Sequence, residues 1–345
     1  MAQKFSFSNS DSEINTILTK ALQSGHVNFL LGSGASAPAI SVAGSIEKVL
    51  NELLDENNAV QFEKEKHEFL CELQSCTNDL LDDVENEDNA STLSNYQNFL
   101  LIIARILEER KTDLLPKQAT VFTTNYDLFI ERASENMTNF RLNDGFFRNP
   151  AITTNYKFQP EHYFDAMFKT GTLFKYRFPI PTVNLIKLHG SLSWQALDEE
   201  LLYCVSSREA PSKDSDEYEN RIFEFNNRFS LILPTRAKFQ ETLLIRVYYD
   251  LLRIFANALE IENTVLLCFG FSFNDEHIFD IVKRALKNPT LLVLIISYDE
   301  ISATYYEKKF KPYNNVVILH PDGEEQFGFV DLNALLASAI PSHEA

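Results

Sequence analysis

Six short apolar runs punctuate this chain: Val27–Leu31, Ala119–Thr123, Val183–Leu188, Thr264–Phe269, Leu291–Ile296 and Val316–Leu319. Each has the length of a strand. A strand apolar along its whole length belongs inside a sheet that is covered on both faces. Helical periodicity fills the intervals. Ile14, Ile17, Leu18 and Leu22 share one face over 12–25, and further helices are predicted over 242–260, 277–287, 300–310 and 331–338. Strand alternating with helix predicts an α/β fold with a doubly wound parallel sheet of about six strands. Leu201–Val205 and Leu231–Leu233 are shorter strand candidates, separated by a charged loop at 206–226.

Composition narrows the class. At 45% hydrophobic and 12% aromatic over 345 residues, the chain can bury a full core. It has no apolar stretch of about 18 residues, so no membrane span is expected. The N-terminus is polar and lacks a secretory signal, and the four cysteines form no disulfide framework, so the expected location is cytoplasmic. A net charge of −18 argues against a broad grip on nucleic acid and favours a basic partner.

Four of the strand ends carry polar chemistry, and in a doubly wound sheet such ends converge on one crevice. Val27–Leu31 runs into Gly32-Ser33-Gly34-Ala35-Ser36, a strand–glycine turn–helix unit of Rossmann-like type that lacks the third glycine of GxGxxG. Ala119–Thr123 ends in Thr124-Asn125-Tyr126-Asp127, and a helix with Phe129, Ile130 and Ala133 follows. Taken alone, Asp127 is equally a helix cap and Asn125 a turn former. Val183–Leu188 ends in His189-Gly190-Ser191, where an imidazole titrating near neutrality is placed for proton transfer; by itself it could merely close a strand. Thr264–Phe269 ends in Gly270-Phe271-Ser272-Phe273-Asn274-Asp275.

The four motifs in this order resemble the sirtuin (Sir2) superfamily, and in particular the SIR2-like NAD hydrolases of bacterial anti-phage defence. Asn143-Asp144-Gly145-Phe146 and Leu233-Pro234-Thr235-Arg236-Ala237-Lys238 look like recurring segments of such chains. The resemblance implies that Gly32, Ser33, Gly34, Ala35 and Ser36 hold the NAD pyrophosphate through backbone amides. Thr124 and Asn125 would sit at the nicotinamide ribose, Asp127 at the nicotinamide carboxamide, and His189 would act as general base. Gly270 and Ser272 would contact the phosphates or the adenosine side, and Ser297 the adenine ribose. NAD would then be a substrate cleaved to nicotinamide and ADP-ribose.

Deacylating sirtuins carry two CxxC pairs for zinc. Here Cys71 and Cys76 are spaced too widely, Cys204 and Cys268 stand alone, and no zinc is expected. The loop reading GIPxFR in that family is also absent, with Ala37-Pro38-Ala39-Ile40 in its place. Trp194 and Tyr176 are either cleft aromatics or packing residues. A protein deacylase or ADP-ribosyltransferase on the same site, and a non-catalytic NAD or ADP-ribose sensor, are the rival functions.

The whole chain, 1–345, is expected to be a single SIR2-like domain with two additions. One is an acidic helical insertion at 45–112, its carboxylate-rich stretch solvated, and the other a small loop-and-strand excursion at 138–180. Only a short tail follows Leu319, so control is expected to come from self-association or from a separate partner. Chains of this size resemble those paired with a hexameric HerA-type ATPase.

Overall fold

Strand order places the crevice. The computed structural model describes residues 2–340 except 8–10, 42–43, 57, 111–114, 149–155, 174, 198–199, 206–217, 227–228 and 232–241. The chain opens with β1 (Gln3–Ser6), α1 (Asp11–Ser24) and β2 (His26–Leu31), followed by one 3₁₀ turn over Ser33–Ser36. Three helices, α2 (Gly44–Asp55), α3 (Ala59–Leu81) and α4 (Glu87–Glu108), lead to β3 (Gln118–Thr123), α5 (Phe129–Ser134) and β4 (Arg141–Asn143). An excursion through β5 (Tyr156–Lys157), β6 (Phe168–Thr170) and β7 (Arg177–Pro179) returns as β8 (Thr182–Lys187). Then come β9 (Trp194–Leu197), β10 (Glu200–Tyr203), α6 (Tyr218–Asn226) and α7 (Thr242–Glu260). The chain closes with β11 (Thr264–Phe269), α8 (Glu276–Ala285), β12 (Leu292–Ile296), α9 (Glu300–Phe310), β13 (Val316–His320) and α10 (Phe329–Ser338).

Among the described residues the main sheet runs β1-β13-β12-β11-β2-β3-β8-β4, with every pairing parallel. The six long strands are the six apolar runs. The first of them, β2, lies at the centre. The next two, β3 and β8, build outward on one side, and β11, β12 and β13 on the other. This is the Rossmann order, and its direction of winding reverses between β2 and β11. Two short edge strands complete the sheet: β1, in an N-terminal segment too polar to announce itself, and the three-residue β4.

Alternation along each strand feeds two separate cores. Phe29, Val121, Leu185 and Leu267 face one core; Leu30, Phe122, Ile186 and Leu266 face the other. The first core is covered by α1, α3, α4, α5 and α10, and the second by α7, α8 and α9.

Segment 45–112 is helical, as its periodicity predicts, but α3 and α4 are deeply embedded: Leu70, Leu73, Tyr96, Phe99 and Ile103 belong to the first core. Residues 81–88 between them are all exposed. The expected charged loop at 206–226 needs correcting over its last part, which forms α6. Ile222 and Phe225 are buried there, and apolar anchoring outweighs the charged neighbours. Leu201 lies in β10 of a separate antiparallel sheet, β5-β10-β9, not in the main one. Leu231 makes only an isolated bridge to Gly190. The remainder of that strand candidate, and most of the Leu233–Lys238 segment, fall outside the described residues. Among the described residues no helix is long and apolar enough to cross a membrane.

Candidate functional site

A cleft of about 880 Å³, its open mouth included, sits at the carboxyl ends of the four central strands. It is lined by Ser33 and Ser36 after β2, Thr124, Asn125, Tyr126 and Asp127 after β3, His189 after β8, and Gly270, Phe271, Ser272, Asn274 and Asp275 after β11. All four polar strand ends therefore meet. Ile40, Ser41, Phe69 and Leu73 form a further wall, so α3 closes one side.

The β2 and β11 turns touch backbone to backbone at the reversal point. The Gly34 amide donates to the Gly270 carbonyl at 3.1 Å, and the Gly32 amide to that of Phe269 at 3.0 Å. A Cβ on Gly34 would lie 2.8 Å from Gly270 Cα, and one on Gly270, whose φ is +65°, 2.6 Å from the Ala35 nitrogen. Only glycine permits this approach. The Ala35 amide donates to the Gly32 carbonyl at 2.9 Å. The amides of Gly32, Gly34 and Ala35 thus build the turn itself, while Ser33 and Ser36 face the cleft.

One flank of the cleft is a closed network. Ser36 Oγ donates to Asp127 Oδ2 at 2.7 Å and lies 3.0 Å from the Tyr96 hydroxyl. Asn125 Nδ2 donates to Ser36 Oγ at 2.9 Å and to the Gly32 carbonyl at 3.0 Å. Asp127 Oδ1 accepts the Phe129 amide at 3.2 Å, so the aspartate also holds the start of α5. Burial, reinforced by the Asp127 carboxylate, pushes the Tyr96 phenol well above its usual range. The same two causes, burial first, push the Cys76 thiol up to about 12. The field at this flank is therefore negative.

The opposite flank is simpler. His189 Nε2 lies 3.0 Å from Asp275 Oδ2, with both side chains buried. The other oxygen of Asp275 accepts the amides of His277 at 2.9 Å and Ile278 at 3.2 Å, capping α8. One carboxylate is thus fixed to a helix end and aimed at the imidazole. The rings of Tyr126 and Tyr248 flank His189, each with its centroid 6.4 Å away. Burial first, and Asp275 next, raise the Tyr248 phenol.

Below the cleft, Lys187 ends β8 fully buried, 2.8 Å from Glu131. It donates to the Asp127 carbonyl and, at 3.1 Å, to Ser191 Oγ. Burial raises the Glu131 carboxyl, and the Lys187 charge pulls it back.

Sequence reasoning placed Thr124, Asn125, Asp127, His189, Gly270 and Ser272 in one crevice, and they line it. Gly32, Gly34 and Ala35 shape it from behind. Ser297 is not among the lining residues: it follows β12, buried, with its hydroxyl donating to the Asp299 carbonyl at 2.8 Å. Trp194 is buried against Phe146 and Phe158, and Tyr176 is exposed just before β7. Asn143–Phe146 forms a turn whose Asp144 pairs with Arg148 at 2.5 Å. Asp275, Lys187, Glu131 and Tyr96 were missed as site residues. Asp275 alone left a signal, as an acid heading a helix at a polar strand end. Among the described residues no group of three or more His, Cys, Asp or Glu side chains is arranged to hold a metal ion.

A family model, the SIR2-like domain, matches residues 119–318, more than half of the chain. The matched span contains Asn125, Asp127, His189, Gly270 and Asp275 and begins after the β2 glycine turn. No curated protein matches the chain.

Proposed function

Because this chain belongs to the SIR2-like domain family, whose members use NAD, we propose that it hydrolyses NAD+ to nicotinamide and ADP-ribose. The observation that carries this reading is the convergence of Asn125, Asp127 and the His189–Asp275 pair in one cleft at the sheet's reversal point. The residues fit the substrate. The glycine-to-glycine approach lets the β2 and β11 turns close against each other at the back of the cleft, and the Asp127 carboxylate suits a cationic ring. The two carboxylates disfavour phosphates beside them, so the pyrophosphate belongs toward Ser33, Gly270 and Ser272.

NAD+ supplies a leaving group that departs as neutral nicotinamide, so the chain has no need of an acid there. Its task is to favour positive charge developing on the ribose, as glycoside-cleaving sites do, and to supply an activated water. Asp127 contributes negative potential. Asn125 has committed its Nδ2 to Gly32 and Ser36, which leaves Oδ1 to orient a hydroxyl or water. His189 accepts the proton of the attacking water, and Asp275 holds the ring and stabilises it once charged. A base so placed is worth about 10²–10⁴ in rate.

The test is incubation of the pure protein with NAD+ and chromatography of the products. Nicotinamide and ADP-ribose in equal amounts are expected. Turnover only with an acylated peptide, ADP-ribose carried onto protein, or binding without cleavage would each replace this reading with one of its rivals. Unrestrained hydrolysis would drain the host of NAD, so we also propose a conditional, NAD-depleting role in anti-phage defence, released by a partner such as a HerA-type hexameric ATPase. Turnover that is full without any partner would refute that part.

A further inference from the structure

The β6–β7 hairpin gathers exposed apolar side chains in one short segment. Its two strands pair only with each other. An isolated two-stranded ribbon is marginal in water unless something packs on it. Yet Leu173 is 86% exposed and Phe164 75%, and Phe168 and Phe178 are more than half exposed. A solvated apolar cluster of this kind marks an interaction surface. The hairpin is also basic. Lys169, Lys175 and Arg177 are all exposed on it, with Asp165 the one acid between 164 and 180, in a chain whose net charge is −18.

The complementary chemistry is present on the same chain. Residues 81–88, between α3 and α4, carry Asp82, Asp83, Glu85, Glu87 and Asp88, all exposed, with Leu81 and Val84 exposed among them. The two surfaces lie at opposite ends of the sheet. The hairpin feeds the start of β8, and Gln118, the first residue of β3, donates to the Asp165 carbonyl at 2.9 Å. From the acidic turn, α4 passes the cleft at Tyr96 and continues to Glu108. Its 22 residues span about 33 Å at the helical rise. A hairpin at the amino ends and an acidic turn beyond the carboxyl ends are placed to meet between molecules rather than within one.

We propose that the β6–β7 hairpin is an arm that docks on residues 81–88 of a second copy of this chain. The contact is heterologous, head to tail, a kind that closes into a ring or extends as a filament. It does not depend on the chemistry of the cleft.

The experiment is light scattering of the full chain after size exclusion, at low and high salt. The wild type is expected to assemble, and the assembly to loosen as salt screens the charges. Phe168→Ser with Leu173→Ser should reduce it to monomer with an unchanged melting curve, as should Lys175→Glu with Arg177→Glu. The decisive variant adds Asp82→Lys and Glu85→Lys to the second pair, exchanging the charges, and should restore the assembly. A monomeric wild type overturns the proposal, including one whose hairpin instead binds an oligonucleotide or a different protein. So does an assembly indifferent to the hairpin variants, or a charge exchange without rescue.

Discussion

The two flanks of the cleft hold their functional side chains in different ways. On the β2–β3 flank, Ser36, Tyr96, Asn125 and Asp127 hydrogen-bond to one another, and Asp127 also holds the start of α5. On the β8–β11 flank, His189 leans on Asp275, which is itself anchored independently at the head of α8. Chemistry and folding are fused in the first flank and separable in the second. A substitution in the network removes partners from several buried groups at once, each worth about 1–3 kcal/mol when left unsatisfied. A substitution of the histidine removes a proton acceptor and one partner of Asp275, which keeps its two amide contacts at the head of α8.

The largest contrast follows from that. His189→Ala is expected to lower NAD+ cleavage by about 10²–10⁴ with a smaller fall in melting temperature than a substitution in the network. Asn125→Ala should lose activity as completely but also melt measurably earlier, since two buried donor contacts of its amide go with it. Product chromatography alongside thermal unfolding measures both. If the two variants melt alike, the difference between the flanks is not real. If His189→Ala turns over near the wild-type rate, the assignment of the base fails.

The reversal point offers the next test. Gly34→Ala sets a methyl 2.8 Å from Gly270 Cα, against backbone that cannot rotate away. Overpacking of this kind costs about 1–3 kcal/mol. It should also spread the β2 and β11 turns and weaken NAD+ binding, so KM should rise more than kcat falls. A variant with wild-type stability and KM would mean that the glycine contact does not shape the cleft.

Asp275→Asn should have a smaller effect. Asparagine keeps an acceptor for the His277 and Ile278 amides, so α8 stays capped while the charge beside His189 disappears. A loss in kcat of roughly tenfold to a hundredfold is expected, below the cost of removing the base itself, together with a changed pH–rate profile. Asp275→Ala, which also removes the cap, should lose stability as well. Equal stability for the two would show that the cap contributes nothing.

The same distinction governs what could be seen in the sequence. Strand ends with glycine, asparagine and histidine were legible because each motif is local: an apolar run, a turn, a helix start. The six-strand core followed from alternation alone. What stayed hidden depends on register across the sheet. Two strands, β2 and β3, separate the strands that carry His189 and Asp275, and no spacing in the chain encodes their meeting. Lys187 closes an apolar run, where a lysine ordinarily marks the surface. Its burial makes sense only once Glu131 of α5 arrives beside it. In α6, two apolar positions outweighed a charged neighbourhood, and β1 forms from a polar segment because β13 offers it an edge.

The smallest effect is the most local. The Cys76 thiol is pushed up to about 12 by burial first and by the Asp127 carboxylate second, and Asp275 is not among its causes. Thiolate is the reactive form, so at pH 8 only about one molecule in 10⁴ is reactive at this position. Cys76 should therefore alkylate far more slowly than the partly exposed Cys71 and Cys204. Asp127→Asn keeps the size of the side chain and removes the charge, which lowers the thiol pKa and should speed labelling of Cys76 a few-fold. Asp275→Asn, on the other flank, should leave the rate unchanged. Peptide mapping by mass spectrometry after timed alkylation gives both rates from one digest. Acceleration by both variants would mean that the two carboxylates share one field, and acceleration by neither that burial and the acids Asp79 and Glu72 set the thiol. The first outcome would mean that the flanks are not electrostatically separate, and the second that Cys76 does not sense Asp127.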